Sequence, residues 1–102
     1  MWGDNMRMDR RAGLLAKEGA YLITYQIYDS LIDWYDYPWT EGPYASGTEI
    51  TVPDEQMAQH PDYGYTQFYF EKACNLNTNE VYSTSTTFVM PNFPLIVYYN
   101  YS

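Results

Sequence analysis

Positive charge is scarce in this chain: five Lys and Arg stand against thirteen Asp and Glu, a formal net charge of −8. A field of that sign repels phosphate backbones and argues against nucleic acid as a partner. Cysteine and histidine occur once each, as Cys74 and His60. No internal disulfide can form, and no multi-His or His–Cys metal set can be built from a single copy. Nor is there a run approaching ~18 uncharged apolar residues, so no membrane-spanning helix is expected. Disorder is excluded from the other side, by abundance: 13 Tyr, 4 Phe and 3 Trp are far more aromatic side chains than disordered chains carry. At 102 residues the chain is one domain's worth, able to bury roughly two-thirds of its unfolded surface.

The few bases are unevenly placed. Residues 1–18 hold Arg7, Arg10, Arg11 and Lys17 against Asp4, Asp9 and Glu18, a net of +1. Residues 19–102 hold Lys72 alone against ten acids, a net of −9. A base-rich N-terminal arm is thus joined to a strongly acidic body. Arg10-Arg11 resembles the start of a twin-arginine signal, but Leu14-Leu15-Ala16 runs straight into Lys17-Glu18. That is too short for an apolar signal core, and no export signal is read here.

Asp9 to Glu18 predicts one short helix, with Asp9 as N-cap, Lys17 in the last turn and Gly19 placed to end it. About ten residues, with Gly13 among them, are marginal as an isolated helix, so this arm is expected to order only by docking. From Ala20 the period changes to two. Tyr21, Ile23, Tyr25 and Ile27 share one face, which predicts a strand. Further strands are expected at Leu31–Tyr37, Gly47–Val52, Tyr65–Glu71, Thr86–Met90 and Leu95–Tyr101. Pro38, Gly42 and Pro43 predict a loop, Asp54–Gly64 a polar stretch with one helical turn near Glu55–Ala58, and Asn75–Glu80 another loop.

In order, the body reads Tyr21-x-Ile23-x-Tyr25, Gly47-Thr48-Glu49-x-Thr51-x-Pro53, Gly64-Tyr65-Thr66-x-Phe68, Phe88-x-Met90-Pro91 and Leu95-x-Val97-x-Tyr99. This series resembles the Listeria–Bacteroides surface repeat, or internalin B-repeat, family across about residues 20–102. The resemblance implies a small β-grasp-like sheet of the kind used in extracellular stalks and adhesins, without enzymatic activity. Two departures stand out. Asp33 to Trp39 is a longer aromatic insertion than the family's short hairpin, and Phe68 is followed by Tyr69 and Phe70 rather than by the usual Trp. The module occurs once, from a starting Met to one residue past the last strand, and the expectation is a complete small reading frame using the module separately.

Candidates for chemistry are few. Cys74 with His60 is formally a nucleophile–base pair, yet no nucleophile motif surrounds Cys74, and a packed thiol is the plainer reading. Asp29, Asp33, Asp36 and Glu41 are oxygen ligands in the wrong spacing for a calcium loop, and nothing marks a glycosidase carboxylate pair. No metal or cofactor is expected. The aromatic set Trp34, Tyr35, Tyr37, Trp39 and Tyr44 is the strongest candidate for surface binding, because rigid amphipathic rings give contact area at low entropic cost. Alternation sends Trp34 and Tyr35 to opposite faces, so at least one is expected outside.

The combined expectation is a mainly β fold, a small β-grasp-like mixed sheet (residues 20–102) preceded by an arm with a short helix (residues 1–19). The arm would dock on other proteins of a larger assembly through Trp2, Met6, Arg7, Met8, Arg10, Arg11, Leu14 and Leu15. The expected assembly is a bacteriophage virion, with this chain as capsid decoration or head fibre among capsid or tail proteins. The alternatives are a bacterial cell-surface adhesin repeat, and a carbohydrate-binding module meeting host-surface glycans through Trp34 and Trp39.

Overall fold

The computed structural model describes residues 19–101, and every element in that range is a strand. Nine strands follow in order: β1 Ala20–Asp29, β2 Trp34–Tyr35, β3 Trp39–Ala45, β4 Glu49–Thr51, β5 Glu55–His60, β6 Gly64–Asn75, β7 Val81–Ser83, β8 Thr87–Val89 and β9 Leu95–Asn100. The fold is mainly β, as expected. The helix expected at Asp9–Glu18 and the docking residues Trp2 to Leu15 lie outside the described residues.

Seven strands form one mixed sheet whose backbone order is β2-β1-β9-β6-β5, with β3 also on β1 and β7 also on β6. Only β1 and β9 run parallel, from Ile23 beside Leu95 to Tyr28 beside Asn100. The inward residues of these two strands alternate strictly: Ile23, Tyr25 and Ile27 on β1, then Leu95, Val97 and Tyr99 on β9. Branched and aromatic side chains fit a pleated, half-buried surface, which is why period two decides the structure here. Phe68 and Ala73 extend the same face from β6.

That face is covered by a two-stranded ribbon, β4 with β8, pairing Ile50 with Phe88. Ile50, Val52, Phe88 and Met90 descend from the ribbon into the same core. Each buried side chain of this size contributes about 1.5–3 kcal/mol relative to exposure. Backbone bonds lock the ribbon at both ends: Gly47 N–H donates to Met90 O, and Val52 N–H to Thr86 O. Tyr99 O–H donates to Pro53 O at 2.7 Å, tying the sheet to the chain leaving β4.

Three expectations are corrected. The predicted loop after Pro38 is strand β3, exposed along almost its whole length. Pro43 has no N–H to give, and an outer strand is where a sheet tolerates it; the Gly42–Pro43 peptide is cis. The expected strand Leu31–Tyr37 is mostly turn, with Asp33 in the left-handed region (φ 53°), and only Trp34–Tyr35 pairs with β1. The expected helical turn at Glu55–Ala58 is instead β5, paired with β6 from Glu55–Tyr69 to His60–Gly64. Its inward residues are Gln56, Ala58 and His60, too short or too polar to advertise a strand. β7 was also unforeseen, and joins β6 beyond the turn at Asn75–Glu80.

Candidate interaction surface

The outer face of the sheet carries a ladder of tyrosines. Register places Tyr35 of β2 opposite Tyr28 of β1, and their rings stack at 5.4 Å. Tyr28 in turn meets Tyr98 of β9 edge-on at 5.6 Å. Cross-strand aromatic pairs of this kind each stabilise a sheet by about 0.2–1 kcal/mol. Lys72, the one base of the body, lies 5.6 Å from the Tyr98 ring. A bulge in β6 between Phe70 and Lys72 turns out Glu71, which accepts a hydrogen bond from Tyr28 O–H. Tyr98 O–H donates to Asn79 at 2.9 Å. Burial, and then the bond to Glu71, hold the Tyr28 hydroxyl well above its ordinary pKa, and burial raises Tyr98 as well. These hydroxyls stay protonated at neutral pH and act as donors, while Tyr35 remains 55% exposed.

The aromatic set expected to form one surface is divided. Trp34 is half-buried against His60 and Phe68, at ring distances of 5.5 and 5.9 Å. Tyr35 stands on the outer ladder, as alternation requires. Tyr37 projects into solvent at 90% exposure. Trp39 pairs with Tyr25 across β3 and β1 and stacks on it at 5.1 Å. Tyr44 is half-buried against the core. Burial, then the bond it donates to Glu41, push the Tyr25 hydroxyl far upward.

The sheet end where β1 and β9 finish contains an arrangement that sequence reasoning missed. His60 and Asp29 are both buried, with His60 Nε2 2.8 Å from Asp29 Oδ2. Asp62 N–H donates to His60 Nδ1 at 3.0 Å. Because Nδ1 accepts, the hydrogen-bond pattern assigns the proton to Nε2, donated to the carboxylate. Asp29 Oδ1 accepts from Leu31 N–H. Rings of Tyr63, Tyr101 and Trp34 surround the imidazole at 4.6, 5.0 and 5.5 Å. Asn100 completes the plug, accepting from Ser30 N–H and Tyr101 N–H while donating to Ser30 Oγ.

An Asp–His pair is also the orienting half of a nucleophilic triad, but here the second imidazole nitrogen is taken by a backbone N–H. Cys74 is fully buried, and burial pushes its thiol up, the opposite of what an attacking thiolate needs. Asp29, weighed with Asp33, Asp36 and Glu41 as oxygen ligands, is spent on His60. Among the described residues no three His, Cys, Asp or Glu gather as a metal site. The lone histidine hid this plug because its partner lies 31 residues away. The only local signal is a His-Pro-Asp-Tyr-Gly turn between two strands.

At the opposite sheet end, where β1 begins, lies an open apolar groove of about 460 Å³. Tyr21, Leu22, Pro43, Leu76 and Pro94 line it. Leu22 and Leu76 are each 43% exposed there, and Leu76 N–H donates to Pro94 O, fixing one wall.

No protein-family model, no curated protein and no solved structure matches this chain.

Proposed function

We propose that this chain is a non-enzymatic interaction protein, anchored to a larger assembly through residues 1–19 and displaying its acidic β body outward. The observation that carries the reading is the tyrosine ladder Tyr35–Tyr28–Tyr98, with the exposed Tyr37 two residues further along the chain. Exposed rings held by cross-strand stacking present rigid contact area with little ordering cost on binding. The base-rich, apolar arm meets a body of opposite charge at Ala20, a layout suited to attaching at one end and presenting the other. The sequence's resemblance to surface-repeat modules points the same way. The assembly we propose is a bacteriophage virion, with this chain as a capsid decoration or head-fibre protein at its surface.

The test is co-sedimentation of the full chain and of a chain lacking residues 1–19 with particles from producing cells. The full chain is expected in the particle fraction and the shortened one in the soluble fraction. Both chains remaining soluble overturns the anchor.

A second reading, a carbohydrate-binding module, is favoured by Trp39, which is backed by Tyr25 and 37% exposed. Glycan-array binding lost in Trp39→Ala supports it, and an array blank for the wild type removes it.

A further inference from the structure

The apolar groove adjoins the point where the arm enters the body. Ala20, Tyr21, Leu22 and Thr24 of β1 form one side of it. The chain reaches them through Gly19, whose φ of 114° is a conformation that other residues rarely adopt. Ser46 N–H donates to Gly19 O, so the root of the arm is fixed against the end of β3. Leu14 and Leu15 stand only six and five residues ahead of Ala20. A segment tethered this closely meets the groove at an effective concentration of order mM, which no free ligand at ordinary levels approaches. Charge favours the same contact, because residues 1–18 carry a net of +1 and the remainder a net of −9. The groove walls are carbon almost throughout, so an occupant of matching chemistry is aliphatic.

We propose that Leu14 and Leu15 of the same chain seat in this groove, laying the arm back over the first residues of β1. This rests on the anchoring role given above only for its purpose: the side chains that engage an assembly are covered until they do so. Docking then exchanges one apolar contact for another, and the groove is left open beside the attached arm.

A nitroxide placed on Ala12→Cys in the full chain tests this, since buried Cys74 does not compete for the label. In isotope-labelled protein the expected result is strong loss of the amide signals of Leu22, Thr24 and Leu76. Tyr63 and Tyr65, at the far sheet end, should keep theirs. The double variant Leu14→Ser/Leu15→Ser should restore the lost signals. Leu22→Glu, on an exposed wall outside the core, should restore those of Thr24 and Leu76 while leaving the His60 shifts unchanged, which shows that the body still folds. Weak attenuation over all residues overturns the proposal. Attenuation that persists when labelled protein is mixed with separate spin-labelled copies also overturns it, by making a second copy the occupant. The anchor is read independently by co-sedimentation: a seated arm without co-sedimentation removes the anchor alone, and co-sedimentation with an empty groove removes only the seat.

Discussion

The two ends of the sheet are built on the same strands yet finish in opposite ways. Where β1 and β9 end, Asp29, His60 and Asn100 are buried among aromatic rings, and the bonds they make include three to backbone N–H groups of Leu31, Asp62 and Tyr101. Where the same strands begin, Leu22 lies exposed in a hollow walled by prolines. The difference comes from what the neighbouring segments place over the strand ends. At the first end the β1–β2 and β5–β6 connections bring Trp34, Asp62 and Tyr63 over the strand ends. At the second, Pro43 and Pro94 offer neither a donor nor a long side chain. One end is therefore specified by hydrogen bonds that leave little choice of conformation, while the other, among the described residues, leaves apolar side chains open.

The sharpest way to break this contrast is Phe68→Ala, which removes a fully buried ring touching Trp34, His60 and Tyr101. Urea unfolding should show a loss of about 3–5 kcal/mol. A loss under about 1 kcal/mol would mean that the plugged end does not clamp the sheet. Next comes His60→Phe, which keeps a ring but orphans the Asp29 carboxylate in the interior. About 3 kcal/mol should be lost, and adding Asp29→Leu should recover much of it, because the penalty lies in the unpaired charge. A double variant as unstable as the single one would place the cost in packing instead.

The tyrosines of the two central strands, β1 and β9, answer to alkali. Burial raises the Tyr99 hydroxyl from 10.0 to about 12, and Tyr25 and Tyr28 are raised too. The unfolded chain therefore loses these protons first as pH rises. For Tyr99 that stabilisation is intact below pH 10 and is lost between pH 10 and about 12, roughly 1–3 kcal/mol, while the losses at Tyr25 and Tyr28 run on to still higher pH. Thermal melting followed by circular dichroism should show Tm constant to pH 10 and falling above it, together with phenolate absorbance. The smallest effect belongs to the open end: Leu22→Ser should change the unfolding free energy by less than about 1 kcal/mol. A larger loss would show that the groove is already part of the core.

How far the sequence spoke follows the same division. The alternation of Tyr21 to Ile27 and of Leu95 to Tyr99 is a local pattern, and it located the two strands that centre the sheet. The opposite faces of Trp34 and Tyr35 were legible for the same reason. β5 was not, because Gln56, Ala58 and His60 point inward without being large and apolar, and their burial depends on β6 and on Asp29. β3 was hidden by Pro38, Gly42 and Pro43, which break a central strand but are tolerated on an outer one. The His60 plug brings together residues from β1, β5, the β5–β6 turn and β9, and no spacing within a single segment announces such a contact. The groove is a space bounded by four segments and has no sequence pattern of its own.

The parallel pairing of β1 with β9 also sets the order of events in time. β1 is the first described strand, and on one side it meets β9, the last, with Ile23 against Leu95 and Tyr28 against Asn100. Neither β3 nor β2, its neighbours on the other side, covers the core by itself. Until Leu95–Asn100 has been made, β1 and β6 lack the strand that joins them. Contacts between such distant segments close slowly, since the chain entropy of a long loop is lost before any contact rewards it. The seven-stranded sheet therefore becomes continuous only when β9 takes its place between β1 and β6.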